Sequence, residues 1–146
     1  MPFAAQRVVV DTNVLFEGLT KRNGSARALV ELCLTGVVEP CASNALLYEY
    51  TEVLTRKLSE ARWQGLRPVL GVFLKECRFI DSPFSWRPVS PDPSDDHIIE
   101  CALNARACVV TRNLKDFRLA ESPFGLPVLT PEDYLLTLYL EDEGLS

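Results

Sequence analysis

The sequence predicts an α/β fold, a mostly parallel sheet covered by helices on both faces. Three observations carry this reading. Short apolar runs such as VVV (Val8 to Val10) and ACVVT (Ala107 to Thr111) look like strands buried on both sides, without the alternation of a half-wet strand. Segments of helical period lie between them. The alternation of the two kinds of segment along the chain is the pattern of parallel βα units.

The first strand, Val8 to Val10, is followed by a short helical piece around Asn13 to Leu19 and a loop, KRNGS. Ser25 is placed to cap a helix through about Leu34, closed by Gly36, and Val37 to Cys41 reads as the second strand. Ser43 or Asn44 opens a helix to about Leu58. Trp63 to Phe73 reads as another helix, its limits blurred by Gly65, Pro68 and Gly71. RFIDSPFSWRPVSPDPSD, with four prolines, is the one long irregular stretch. After it come a helix from Asp95 to about Ala105, strands at Ala107 to Thr111 and Pro127 to Leu129, and a last helix opened by TPED. That opening combines a Thr N-cap, Pro at the first helical position and acids in the first turn.

The 146 residues fit a single domain, 1–146, able to bury a sizeable core. No apolar run reaches the ~18 residues that span a bilayer, and the N-terminus MPFAAQRVVVD lacks a basic start followed by an apolar stretch, so no membrane partner and a cytoplasmic location are expected. Five scattered cysteines, with no C-x-x-C and one histidine, argue for buried reduced thiols and against disulfides or zinc. The net charge of −5 counts against a large duplex-binding surface. It leaves room for a local basic lip, since eleven of the fifteen basic residues are Arg.

In a parallel sheet the ligand site lies outside the carboxyl ends of the strands, and Asp11 stands at one of them. Taken alone, Asp11 reads first as an N-cap or Asx-turn residue, and its neighbours decide the matter. On the helix SNALLYEYTEVLTRKL, Leu46, Leu47, Tyr50, Val53, Leu54 and Leu58 share a face at roughly 100° per residue; Glu49 sits at its edge, open to a cleft or to solvent. Glu52 lies on the polar side, four residues before Arg56, as an exposed pair. In DPSDDHIIECALNA, Asp95 projects with Ile98, Ile99 and Ala102, an expensive direction for a carboxylate unless its charge is compensated, while Asp96 lies at the border as helper or bystander. His97 points away from that face and is expected to be solvated. After Thr111 come Asn113 and Asp116, with Arg112, Lys115 and Arg118 as positive charge that could steer an anionic substrate. Acids converging at one sheet edge call for a cation, and hard oxygen ligands specify Mg²⁺ or Mn²⁺, suited to phosphoryl chemistry.

VVVDTNVLFEGL, SNALLYEYTEVLTRKL, DPSDDHIIECALNARACVVTRNLKDF and PVLTPEDYL, in this order, resemble the PIN-domain ribonucleases, in particular the VapC-like toxins of bacterial toxin–antitoxin pairs. The resemblance covers nearly the whole chain. It implies a Rossmann-like three-layer α/β/α sandwich, metal-dependent cleavage of single-stranded RNA, an antitoxin partner and a homodimer. By position it places the metal-binding acids on Asp11, Glu49 and Asp95. The family's fourth acid falls on Asn113, with Asp116 three residues later, which leaves one metal or two open. Thr12 and Asn13 resemble residues that support the first Asp, and Thr111 is expected to line the same site. A non-catalytic RNA- or protein-binding module of the same fold is the alternative. A phosphatase of the haloacid dehalogenase type ranks below both, because it wants an Asp where Asn13 stands.

Overall fold

Val8, Val9 and Val10 are wholly buried, and they form the inner half of β1 (Ala4–Val10), the middle strand of the sheet. The computed structural model describes residues 4–81, 96–117 and 125–142. With β2 (Glu39–Ala42), β3 (Arg78–Phe79), β4 (Ala107–Val110) and β5 (Val128–Leu129), β1 makes a five-stranded parallel sheet in the order β3-β2-β1-β4-β5. Strands buried on both faces need no polar side, hence the unbroken valines.

The helices are α1 (Thr12–Thr20), α2 (Ser25–Leu34), α3 (Asn44–Lys57), α4 (Glu60–Glu76), α5 (Asp96–Ala105) and α6 (Pro131–Asp142), with a single helical turn over 114–117. The path from β1 to β2 to β3 runs toward one edge of the sheet, and β4 and β5 lie on the other side of β1. Because parallel crossovers are right-handed, α1 to α4 and α5 fall on opposite faces. Accordingly α1 to α4 pack on one another, while α5 packs on β1, β2 and β4. The result is an α/β/α sandwich. The strand order reverses between β1 and β4, so the ends of those two strands form the topological switch point where such sheets bind ligands. Pairing of Val10 with Val110 then sets Asp11 beside Thr111.

Several element limits differ from those the sequence predicts. β1 begins at Ala4, and β2 is shifted to Glu39–Ala42. Ser25 lies inside α2, whose N-cap is Gly24 at φ 103°, a left-handed conformation that only glycine adopts cheaply. α4 runs seventeen residues straight through Pro68, from Ser59, which caps it by accepting from the Arg62 N–H. Pro68 and Gln64 are both exposed, so water can serve the carbonyl that the proline leaves without a donor. On its apolar side Leu70 and Phe73 are buried in the core. The start of the supposed irregular stretch is β3, whose two exposed residues pair with Cys41 and Ala42; the Pro-rich remainder, with Phe84 and Trp86, lies outside the described residues. Thr130 and Pro131 open α6 as expected, Thr130 Oγ1 accepting from the Asp133 N–H at 3.1 Å.

Gly18 on α1 faces α2 at a distance that excludes a side chain: a Cβ there would stand 2.4 Å from Val30 Cγ2 and 2.7 Å from the Ala26 carbonyl oxygen. This close approach fixes α1, and with it the residues that follow β1. Cys33, Cys41, Cys101 and Cys108 are buried and Cys77 half-buried, and burial pushes the thiols of Cys41, Cys77 and Cys101 up to about 12. None is a thiolate ligand in waiting. No helix among the described residues is long and apolar enough to cross a membrane.

Candidate active site

Asp11 is the first residue past β1 and only 7% exposed. Its backbone occupies the N-cap position of α1, yet its side chain makes no capping hydrogen bond. The carboxylate turns across the switch point instead, where Thr111 Oγ1 donates to Oδ2 at 2.8 Å. Its own N–H donates to the Val110 carbonyl at 3.0 Å, which locks the residue to the end of β4. Burial raises its pKa, and the charge of Glu49 raises it further; the Thr111 hydrogen bond works in the opposite direction. A cap would need none of this. The geometry is that of an anion held in a dry place for a partner.

Glu49 reaches the same place from α3. Ser43 caps that helix, accepting from the Leu46 N–H at 3.3 Å, and Tyr50 anchors it by donating from its buried hydroxyl to the Val10 carbonyl at 2.5 Å. Anchoring residue 50 to the end of β1 brings residue 49 to the mouth of β1. Thr12 Oγ1 donates to Glu49 Oε1 at 2.5 Å, and His97 Nε2 stands 2.8 Å from Oε2. An ionised carboxylate only accepts, which assigns the hydrogen to Nε2. Thr12 supports both acids: its hydroxyl reaches across to Glu49 on α3, and its backbone N–H hydrogen-bonds the Asp11 carboxylate. One sequence expectation is corrected here. His97 is not solvated: on α5 it packs back against α3, its side chain 23% exposed.

Arg112 departs most from expectation. It was read as free positive charge, but its guanidinium is forked onto Glu17 (2.8 and 2.9 Å) and Glu132 (2.8 Å each). Two glutamates offset its charge and tie the end of β4 to α1 and α6, while the guanidinium still lines the cleft beside Asp11. Replacing Arg112 with Ala is expected to cost about 1 kcal/mol in low salt. That loss shrinks in high salt, which urea melts at two ionic strengths would show. Lys115 is exposed and Arg118 lies outside the described residues.

A surface cleft of about 290 Å³ opens beside Asp11, lined also by Asn13, Val14, Glu17, Arg112 and Asn113. The Asn113 N–H donates to Thr111 Oγ1 at 3.0 Å and its side-chain amide donates to Asp116 Oδ2, so these two polar residues brace each other at the rim. Asp96 is the first residue of α5. Asp95 lies outside the described residues. A larger cavity, about 590 Å³ between α2 and α6, contains none of the residues above and has no cluster of functional groups.

A sequence profile of the PIN domain matches residues 7–115, more than half of the chain, a span that includes Asp11, Glu49, His97 and Thr111. The chain belongs to the PIN domain family. Solved structures agree on the fold. The VapBC2 complex of Rickettsia felis bound to a promoter DNA fragment is similar at 18% identity and a TM-score of 0.57, over 84% of this chain and 96% of that one. FitAcB of Neisseria gonorrhoeae is similar at 20% identity and 0.59, over 85% and 97%. The FitAB structure bound to an IR36 DNA fragment gives 20% and 0.59, over 85% and 94%. No curated protein matches the chain closely enough in sequence to count as a relative.

PIN domains are generally nucleases that use divalent metals. In this PIN domain no group of three or more His, Cys, Asp or Glu side chains is placed to hold an ion among the described residues. The donors that are described still fit a hard cation: two carboxylates on separate elements, one deeply buried, each adding to the cost of the other's charge. Sequence reasoning missed three residues here. Glu17 is one helical turn beyond Asn13, a spacing that puts both on the cleft side of α1. Tyr50 was counted only as apolar face. His97 follows Asp96 on the opening turn of α5, and only the packing of α5 on α3 shows what it touches.

Proposed function

We propose that the protein is a divalent-metal-dependent endoribonuclease that hydrolyses phosphodiester bonds of single-stranded RNA, with Mg²⁺ or Mn²⁺ held by Asp11, Glu49 and Asp95. The observation that carries this reading is the pairing of buried Asp11 with Glu49 at the switch point of the sheet. When bound, the cation lowers the pKa of an attacking water and stabilises the departing oxygen. The chain's part is to hold the ligands rigid: Thr111 orients Asp11, and Thr12 and His97 orient Glu49. The adjoining cleft gives a phosphate access to Asp11, and the bound cation would offset the carboxylates that otherwise repel it. Asn113 and Asp116 complete the rim as polar contacts in place of a fourth ligand, and Lys115, with Arg118, supplies the charge that Arg112 does not.

The reading extends to the partners. The similarity to the VapBC2 and FitAcB structures supports a toxin role with a protein antitoxin, and we read the chain as a single-domain, cytoplasmic protein that forms a homodimer. Asn113 specifically favours a second reading, a PIN domain that binds RNA without cutting it, since a neutral amide braced on Asp116 is a weak ligand. Incubating a labelled single-stranded RNA with the protein in Mn²⁺, Mg²⁺ or chelator separates the two. Cleavage in either metal, abolished by chelator and by Asp95→Asn, is expected. RNA retained uncut in both metals, by wild type and variant alike, would establish the binding module.

A further inference from the structure

Glu49 is gripped from two sides, and the second grip comes from outside the Asp11-Thr12-Asn13 segment. Thr12 holds Oε1 from α1, within the segment that also carries Asp11. His97 holds Oε2 at 2.8 Å from α5, forty-eight residues away and on the opposite face of the sheet from α1 and α3. The carboxylate is therefore clamped between two helices that the sheet separates. We infer that His97 is a positioning residue for cation binding: it fixes the orientation of Glu49 by donating from Nε2, and so preorganises the ligand opposite Asp11. This rests on the metal-dependent reading above.

Three features support that role over plain packing. The contact is polar and directed, ring nitrogen to carboxylate oxygen, in a half-buried place where the two side chains are 23% and 31% exposed. An imidazole N–H, unlike a lysine or arginine at the same spot, can hold a carboxylate without bringing a permanent charge that would compete with the cation. A carboxylate has about four acceptor positions, so donors can steer it while it ligates. Among metal sites generally, removing such a supporting donor weakens affinity about 10–100-fold. Its place on the first turn of α5 also ties Glu49 to a helix packed on the other face of the sheet.

The test compares Mn²⁺ affinity by calorimetry for the wild type, His97→Leu and His97→Gln, with melting temperature as a control on folding and RNA cleavage as a second readout. Glutamine can place an amide N–H near the position of Nε2, and leucine fills the space without a donor. The expected result is a 10–100-fold weaker Mn²⁺ affinity in His97→Leu at an unchanged melting temperature, largely restored in His97→Gln. Cleavage should recover in His97→Leu when Mn²⁺ is raised to saturate it. In a Glu49→Ala background the leucine change should have no further effect, because nothing is left to orient. Equal Mn²⁺ affinity in wild type and His97→Leu would overturn the inference and leave the metal-dependent reading standing. So would a glutamine variant as weak as the leucine one. A wild type that binds no Mn²⁺ at all would overturn both.

Discussion

Replacing Asp11 with Asn is expected to abolish cleavage and, at neutral pH, to make the metal-free protein more stable. The two effects share a cause. Asp11 is buried beside another carboxylate, so its folded pKa lies above its unfolded value. A group of that kind leaves the folded state relatively favoured while it is protonated, below the ordinary carboxylate range. The advantage is lost as pH rises through the raised pKa, because the unfolded chain releases the proton first. Wild type and Asp11→Asn should therefore melt alike in acid, and the variant should pull ahead as pH climbs toward neutrality. About 1 kcal/mol is the scale set by one poorly compensated buried group, or some 2–4 °C for a domain of this size. Asn keeps the acceptor that Thr111 needs and removes the charge that burdens Glu49. Catalysis moves the other way: loss of the several kcal/mol that a cation supplies in the transition state corresponds to a fall of about 10²–10³-fold or more. Thermal melts across pH with chelator present would check the stability effect, and cleavage of a labelled RNA in Mn²⁺ the catalytic one; in melts with Mn²⁺ only the wild type should gain.

Gly18→Val is expected to be among the most damaging single changes outside the site. A Cβ at Gly18 would sit 2.7 Å from the carbonyl oxygen of Ala26, and backbone cannot move aside as a side-chain end can. Alanine should cost about 1–3 kcal/mol through overpacking. Valine adds branched methyls at the same contact and should cost more, enough to leave the protein largely unfolded at 37 °C if its stability is ordinary. Since α1 carries Thr12 and Glu17, the partly stable alanine variant should also bind Mn²⁺ more weakly than its folded fraction accounts for. Urea melts with fluorescence detection would read the first effect and calorimetry the second. A well-folded Gly18→Val protein would show that the α1–α2 approach is not the constraint described.

The sheet was legible in the sequence because its strands are buried on both faces. Val8 to Val10 and Ala107 to Val110 have no polar alternation to confuse them with surface strands, and both are strands in the structure. β3 was not legible, since Arg78 and Phe79 are exposed and gain their strand character from pairing with Cys41 and Ala42 alone. Helix α4 was legible only in part, because Pro68 signals a break locally while the burial of Leu70 and Phe73 holds the helix together.

For the site, helical periodicity put Glu49 at the edge of an apolar face, and that edge is where the structure brings it to Thr12 and His97. Glu52 pairs with Arg56 at 2.8 Å, as its four-residue spacing implied. What periodicity along one helix cannot give is contact between helices. The His97–Glu49 contact and the fork of Arg112 onto Glu17 and Glu132 join residues that are 20 to 95 positions apart, and their local patterns carry no sign of one another. Charge counted along the chain made Arg112 look available; charge placed in space shows it already matched.

The central claim is that the carboxylates at the end of β1 hold a catalytic cation. Anomalous diffraction from crystals of the protein grown with Mn²⁺ tests it most directly. A manganese peak is expected within about 2.5 Å of a carboxylate oxygen of Asp11 and of Glu49, lost in crystals of Asp11→Asn. A protein that cleaves RNA with Mn²⁺ while its manganese lies elsewhere, away from both carboxylates, would contradict it.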